Sequence, residues 1–163
     1  MLKVVADASV LIALAKIGRL DLLEKLWKVV FIPEEVRREV LADERPGCAQ
    51  VCRGIADGWL VVKAVGPEPA VPGLKVASDE AACLRLAVAE GADLVLADDR
   101  LARKAVRRMG FPVVGTLKVL ALGVERGIMS AGEFGRAIDD LAAVGFWLEP
   151  ELVQTVRREL GID

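Results

Sequence analysis

The sequence predicts an α/β fold, a three-layer α/β/α sandwich with a central parallel sheet. Two observations carry this prediction. Short apolar segments typical of buried strands alternate with longer segments of helical pattern. The connections are long enough to hold crossover helices, so that consecutive strands run parallel and helices cover both faces of the sheet. No internal repeat or long linker divides the 163 residues, which predicts one domain over 1–163.

Five apolar segments are the predicted strands, and each ends near a turn or cap residue. They are LKVVAD (2–7), VVFIP (29–33), WLVVKAV (59–65), DLVLAD (93–98) and FPVVGT (111–116). In a parallel sheet, the carboxyl end of every strand and the start of the following helix lie along the same edge. We therefore expect a ligand to bind at that edge.

Helix starts are marked by recognisable residues. Ser9 is expected to cap a helix from about Val10. Ser130 and Glu133 form an S-x-x-E capping box, and Pro150 begins the last helix. These signals place helical segments after the strands and at the carboxyl-terminal end of the chain.

The composition excludes several kinds of site. The chain has no histidine, which rules out a Ser-His-Asp triad, a Cys-His pair and every His-ligated metal. A metal here would be a hard, oxygen-bound cation such as Mg²⁺, Mn²⁺ or Ca²⁺. The net charge of −2 means that a nucleic-acid partner needs a local basic patch. The sequence predicts a cytoplasmic protein. Its three cysteines lack the spacing of a disulfide framework, no apolar run is long enough to span a membrane, and Asp7 interrupts any apolar signal region.

Acidic residues recur at the predicted sheet edge. Asp7 ends the first strand, Asp98 and Asp99 end the fourth, and Asp79 and Glu80 open a helix. Capping of helix N-termini explains single acids at such positions. It explains one member of the Asp98–Asp99 pair but not both. A divalent cation would remove the repulsion between neighbouring carboxylates, and it is the second explanation.

Glu39 differs from these acids because it lies inside a helical segment. It shares an i, i+3, i+4 stripe with Val36 and Val40, which predicts that its side chain faces inward. An inward carboxylate needs a partner, either a buried arginine or a cation held together with the edge acids.

A basic stripe follows the fourth strand at i, i+3, i+4, i+7 and i+8. It contains Arg100, Arg103, Lys104, Arg107 and Arg108. Such a run is commonly a solvated helix face. Beside an acidic pocket it would also suit an RNA backbone, since acids that hold a metal next to cations that hold a polyanion form the design of a nuclease.

Two further features have open interpretations. Thr116, after the last strand, is expected either to cap the next helix or to hydrogen-bond a metal-bound water, and the cap is favoured. The apolar segment GFWL (145–148) is expected to lie in the core or to form an oligomer or partner surface.

Four segments together resemble the PIN-domain family, most closely the bacterial and archaeal branch related to VapC-type toxins. They are VVADASVLIALAKIGRLDLL (4–23), IPEEVRREVL (32–41), SDEAACLRLA (78–87) and LADDRLARKAVRRMGFPVVGTLKVLAL (96–122). The resemblance implies hydrolysis of RNA phosphodiester bonds, an acidic pocket for Mg²⁺ or Mn²⁺, a homodimer and a cognate antitoxin protein.

The resemblance also implies roles for individual residues. The four family acids fall on Asp7, Glu39, Glu80 and one of the Asp98–Asp99 pair, where Asp99 is favoured. Ser9 is the usual small polar neighbour of the first acid. Of these acids Asp7, Glu80 and the Asp98–Asp99 pair are the expected metal ligands. The basic stripe, independently of the resemblance, makes Arg100, Arg103, Lys104 and Arg107 the expected RNA-backbone contacts.

Two rival functions remain at this stage. One is a catalytically silent domain of the same fold that binds RNA or protein; the intact acids argue against it. The other is a phosphoryl-accepting receiver-like domain. That domain needs an acid pair after the first strand and a lysine near the end of the last, whereas here the pair follows the fourth strand and Lys118 lies beyond Gly115.

Overall fold

A computed structural model describes residues 1–42, 47–66 and 78–162, without the side chains of 78–80. Within these residues five parallel strands form one sheet in the order β3-β2-β1-β4-β5. The strands are β1 (Val4–Ala6), β2 (Val30–Pro33), β3 (Leu60–Lys63), β4 (Leu94–Leu96) and β5 (Val113–Val114). All five fall inside the segments predicted from the sequence, and the predicted α/β sandwich with a parallel sheet is confirmed.

The helices of the described residues connect and flank these strands. They are α1 (Ala8–Lys16), α2 (Asp21–Trp27), α3 (Glu34–Leu41), α4 (Cys48–Asp57), α5 (Ser78–Glu90), α6 (Arg100–Arg108), α7 (Thr116–Glu125), α8 (Ala131–Ala143) and α9 (Pro150–Glu159). In the described part of the chain, no helix has the length and apolar character needed to span a bilayer.

The central strand β1 shows why the sheet has helices on both faces. Val4, Val5 and Ala6 are all fully buried. Because successive side chains of a strand point to opposite faces, burial of all three requires a layer on each side. Helix α5 packs on β1 and β2, and α2 packs on β2 and against α7. Apolar runs rather than alternating patterns are the sequence signature of this arrangement.

The strand order reverses direction between β1 and β4. From β1 the chain builds outward through β2 to β3, and later it returns to add β4 and β5 on the other side. The loops after β1 and β4 therefore leave the sheet in different directions and open a crevice between them, where ligands of such folds bind. Asp7 and Asp98 follow these two strands.

The C-terminal helices are bounded by the signals that the sequence contains. Ser130 caps α8 by accepting a hydrogen bond from Glu133 N, and the capping box is complete. Pro150 is the first residue of α9, as predicted. Helix α8 ends at a turn where Gly145 has a φ of +83°, a conformation that glycine adopts without strain.

Two helical glycines make a matched test of core packing. A Cβ at Gly54 would lie 2.7 Å from Cζ2 of the buried Trp59 indole, whereas one at Gly135 would meet nothing closer than Arg157 Nη1 at 3.9 Å. Alanine favours a helix interior over glycine by up to about 1 kcal/mol. We expect Gly135→Ala to stabilise by about that amount and Gly54→Ala to destabilise by about 1–3 kcal/mol, because the indole must move.

Chemical denaturation followed by circular dichroism would measure both changes. Equal stabilisation by the two alanines would show that the α4–Trp59 contact yields without cost, contrary to the close packing described.

Candidate active site at the carboxyl edge of the sheet

Asp7 is held at the end of β1 by both its backbone and its side chain. Its N–H donates to Leu96 O at 2.9 Å, which extends the β1–β4 ladder by one residue. Its carboxylate accepts from Ser9 N at 3.1 Å and from Val10 N at 3.5 Å, and so caps α1. The residue is only 2% exposed. The predicted cap at Ser9 is therefore wrong: Asp7 is the cap, because the strand ends at Ala6 and the helix begins at Ala8, two residues earlier than predicted.

The Ser9 hydroxyl joins the ends of β1 and β4. It donates to Asp7 Oδ1 at 2.5 Å and accepts from Asp98 N at 3.2 Å. A hydroxyl is suited to this position because it donates and accepts at the same time. The expected small polar neighbour of the first acid thus fixes the distance between the two acidic strand ends.

Asp98 binds the first residue of α7 with both carboxylate oxygens. Thr116 N donates to Oδ1 at 2.8 Å, and the Thr116 hydroxyl donates to Oδ2 at 2.6 Å. Burial raises the pKa of the Asp98 carboxyl, while the two bonds from Thr116 and the charge of Arg103 act to lower it. Thr116 is fully buried and is the first helical residue, so the favoured prediction that it caps α7 is wrong. The carboxylate of Asp98 takes that place.

Gly115 allows the side chains of Asp98 and Arg103 to lie close to the backbone before α7. A Cβ at this position would lie 2.5 Å from Asp98 Oδ1 and 2.7 Å from Arg103 Nη1. Arg103 is half-buried, and burial is the main reason that its pKa is lowered; Arg107 adds to the lowering and Asp98 opposes it. The stripe of α6 is therefore not uniform, since Arg103 faces the acids whereas Arg100, Lys104 and Arg107 are exposed.

Asp99 has a different environment from its neighbour Asp98. It is exposed, and its Oδ2 accepts from Ala102 N at 2.9 Å, which caps α6. Both adjacent acids therefore cap a helix, the half-buried Asp98 at α7 and the exposed Asp99 at α6, and the expectation that capping explains only one of the pair is wrong. The sequence left the choice between them open and favoured Asp99.

A cavity of about 310 Å³ contains Asp7, Ser9 and Glu39 in its wall. Glu39 reaches it from α3, where Val36 and Val40 are buried beside it, as the inward stripe predicted. The cavity therefore brings together the first two acids identified by the sequence, which lie on separate helical connections.

Two contributors to the cavity were missed by the sequence reasoning. Lys16 lies in its wall together with Ser9, Ile12 and Ala13, a set spaced i, i+3, i+4, i+7 on α1 that could have been recognised from the sequence. Residues 144–146, after α8, cover another part of the wall. No local pattern links this segment to β1, and only the tertiary path of the chain brings it there.

The side chains of Asp79 and Glu80 lie outside the described residues, although both belong to α5. Among the side chains that are described, no group of three or more acidic, cysteine or histidine residues forms a metal cluster. The donors near Asp7 and Asp98 are carboxylate and hydroxyl oxygens, and that chemistry fits a hard divalent cation.

The structure is similar to a PilT N-terminus domain protein from the archaeon Sulfolobus solfataricus P2, with a TM-score of 0.48 and 16% identity, over 75% of this chain and 93% of that one. No match was found among curated proteins. Residues 3–162 match the family described as DUF3368: PIN domain. This match spans nearly the whole sequence, and the chain therefore belongs to the PIN-domain family.

Proposed function

We propose that this protein is a metal-dependent endoribonuclease that cuts RNA phosphodiester bonds at the edge containing Asp7, Glu39 and Asp98. The observation that carries the proposal is that Asp7 and Glu39 line one cavity, while Ser9 ties Asp7 to Asp98. Asp7 and Asp98 thus lie side by side where the strand order reverses, Glu39 shares the cavity of Asp7, and the basic helix α6 begins directly after Asp99.

Mg²⁺ or Mn²⁺ is the proposed cofactor, and Asp7, Asp98 and Glu80 are the proposed ligands, with Asp99 as the alternative to Asp98. When bound, such a cation polarises the phosphate and lowers the pKa of the attacking water. Asp7 and Asp98 are already oriented by helix N–H groups and by Ser9, so little reorganisation is needed to present their oxygens.

The remaining chemistry is distributed over groups of this chain. With no histidine, a carboxylate must accept the proton of the attacking water, and we propose Glu39 for this role because it lies in the cavity wall together with Asp7. Lys16 and the exposed cations of α6 are positioned to neutralise phosphate charge. Ser9 and Thr116 orient Asp7 and Asp98. The expected products are a 5′-phosphate and a 3′-hydroxyl.

The biological role is proposed from the sequence resemblance alone. We propose that the protein is the toxin of a toxin–antitoxin pair, acts as a homodimer and is neutralised by a cognate antitoxin. Growth arrest on induced expression, absent in an Asp7→Asn strain, would support the toxin role. The alternative is a catalytically silent PIN-domain module that binds RNA or protein, and RNA binding without cutting by folded, metal-loaded protein would favour it.

Asp7→Asn tests the acid edge directly. Asparagine caps helices as well as aspartate does, so the fold should persist while the negative charge is lost. We expect Mg²⁺- or Mn²⁺-dependent cleavage of end-labelled RNA to fall more than about 100-fold, since even outer-shell partners of metal sites are worth 10–100-fold. Glu39→Gln should give a comparable loss.

Chelator should abolish cleavage by the wild type. Cutting by the purified protein that persists both in chelator and in Asp7→Asn would contradict the proposal.

The pair Asp98→Asn and Asp99→Asn decides which acid acts. An amide at 98 can still accept from Thr116 N and donate to its hydroxyl, and it removes a charge that burial disfavours. Burial raises the pKa of the Asp98 carboxyl in the folded protein, so its ionisation makes the fold less stable. The fold is therefore expected to lose stability as pH rises above the ordinary aspartate range. We expect Asp98→Asn to be at least as stable as wild type at neutral pH, and inactive.

Asp99→Asn preserves the cap of α6 and should keep most of the activity. Thermal unfolding at several pH values and cleavage rates measure both variants. Loss of cleavage in Asp99→Asn alone would transfer the role to Asp99.

Lys104→Gln and Arg107→Gln test the RNA track on α6. Both residues are exposed, and each lost phosphate contact should reduce the slope of log binding constant against log salt by about 0.7 for single strands. Lys28→Gln is the matched control. Lys28 is exposed like the two α6 residues, but it precedes β2 and so lies at the amino ends of the strands, away from the acids. Equal slopes for all three variants would identify the stripe as an ordinary solvated helix face.

A further inference from the structure

A second, apolar groove lies next to the acidic cavity. Its volume is about 420 Å³, and Ile138, Leu148, Pro150 and Val153 contribute to its wall. No charged side chain of the described residues lines it, and Gln154 supplies the one side-chain amide. The groove therefore differs from the cavity that contains Asp7, because charged side chains line the cavity but not the described groove.

The two spaces share a wall. Gly145 and Phe146 line both the groove and the acidic cavity. Because the same two residues border both spaces, the groove lies directly beside the acidic cavity.

Phe146 is held rigidly at this junction. The turn after α8 has paired bonds, with Gly145 N donating to Ala142 O at 3.1 Å and Phe146 N donating to Leu141 O at 2.9 Å. This is the double-bonded glycine turn that ends many helices, and the left-handed Gly145 completes it. The backbone at Phe146 is therefore fixed by the helix ending, and little backbone entropy is lost when a ligand packs on this residue.

Trp147 follows Phe146 in the groove wall and is 77% exposed. The other two tryptophans, Trp27 and Trp59, are 4% and 7% exposed. An exposed indole beside an uncharged groove offers a flat face to a flat, neutral group. Nucleobases have that shape, and proteins that bind single strands stack them on aromatic side chains.

We propose that Phe146, Trp147 and the groove form a base-stacking subsite for an unpaired nucleotide next to the phosphate in the acidic cavity. This inference rests on the proposed function and adds the group that the site reads beside the cut. The acidic cavity and α6 contact the backbone, which carries no base information. Gln154 is a residue in the groove whose side chain can both donate to and accept from a base edge.

Tryptophan fluorescence reports on this contact without any cleavage. Trp147 is the indole that is open to solvent, so a stacked base should quench its emission. The titration uses full-length protein, chelator to prevent cutting, an oligoadenylate, and an abasic ribose-phosphate oligomer of equal length and charge. We expect saturable quenching by the oligoadenylate and little by the abasic oligomer.

Variants separate stacking from other uses of the groove. Trp147→Ala should weaken oligoadenylate binding about 5- to 150-fold, the equivalent of one stacked base. Trp147→Phe should restore most of it. Leu152→Ala is the matched control: Leu152 is also an exposed apolar residue, on α9, but does not line the groove, and its loss should leave binding unchanged.

Three results would overturn the inference. They are equal quenching by the abasic oligomer, unchanged oligoadenylate affinity in Trp147→Ala, and a dimer that dissociates in Trp147→Ala by sedimentation, which would give the groove to a second copy of the chain. Each is independent of cleavage. Quenching without cutting would keep the subsite and reject the nuclease, and cutting without quenching would do the reverse.

Discussion

The geometry of the acidic edge depends on the Ser9 hydroxyl. This group donates to the Asp7 carboxylate and accepts from the backbone N–H of Asp98. These contacts can form only if β1 and β4 are paired in the observed register, with Asp7 N bonded to Leu96 O. A slip by one residue would turn the Asp7 side chain to the other face of the sheet. The apolar packing of β1, fully buried on both faces, therefore also fixes the position of the acid that follows it.

Three helix N-termini explain how the edge tolerates its acids. Asp7 accepts from N–H groups at the start of α1, Asp98 at the start of α7 and Asp99 at the start of α6. Unpaired N–H groups and the helix dipole stabilise negative charge at each start. Capping and chemistry are thus compatible roles for one carboxylate, because an ionised carboxylate has about four acceptor positions and capping uses only some of them. Capping of a helix and binding of a cation are therefore not mutually exclusive explanations of these acids.

The sequence was sufficient for features that depend on local pattern. Strand order along the chain, the inward face of Glu39 and the capping box at Ser130 follow from periodicity and cap chemistry, and the structure agrees with each. Features that depend on the tertiary path were beyond it. Nothing local indicates that Asp98 turns toward Thr116 while Asp99 caps α6, or that residues 144–146 return to cover the cavity of Asp7. The Lys16 position is intermediate, since the spacing on α1 contained the information.

The basic helix α6 shows why a charge run should be divided by environment before it is given one function. Gly115 lacks the Cβ that would otherwise lie 2.7 Å from Arg103 Nη1, so this guanidinium can lie near the Asp98 carboxylate. Its neighbour Lys104 remains in solvent. A half-buried arginine beside a half-buried acid balances charge within the protein, and it keeps that role whether RNA is bound or not. We infer that Arg103 tunes Asp98, whereas the exposed cations provide the salt-dependent attraction for a polyanion. Loss of Arg103 would then alter the acid itself, an effect that added salt does not reproduce, because screening acts mainly on exposed charges.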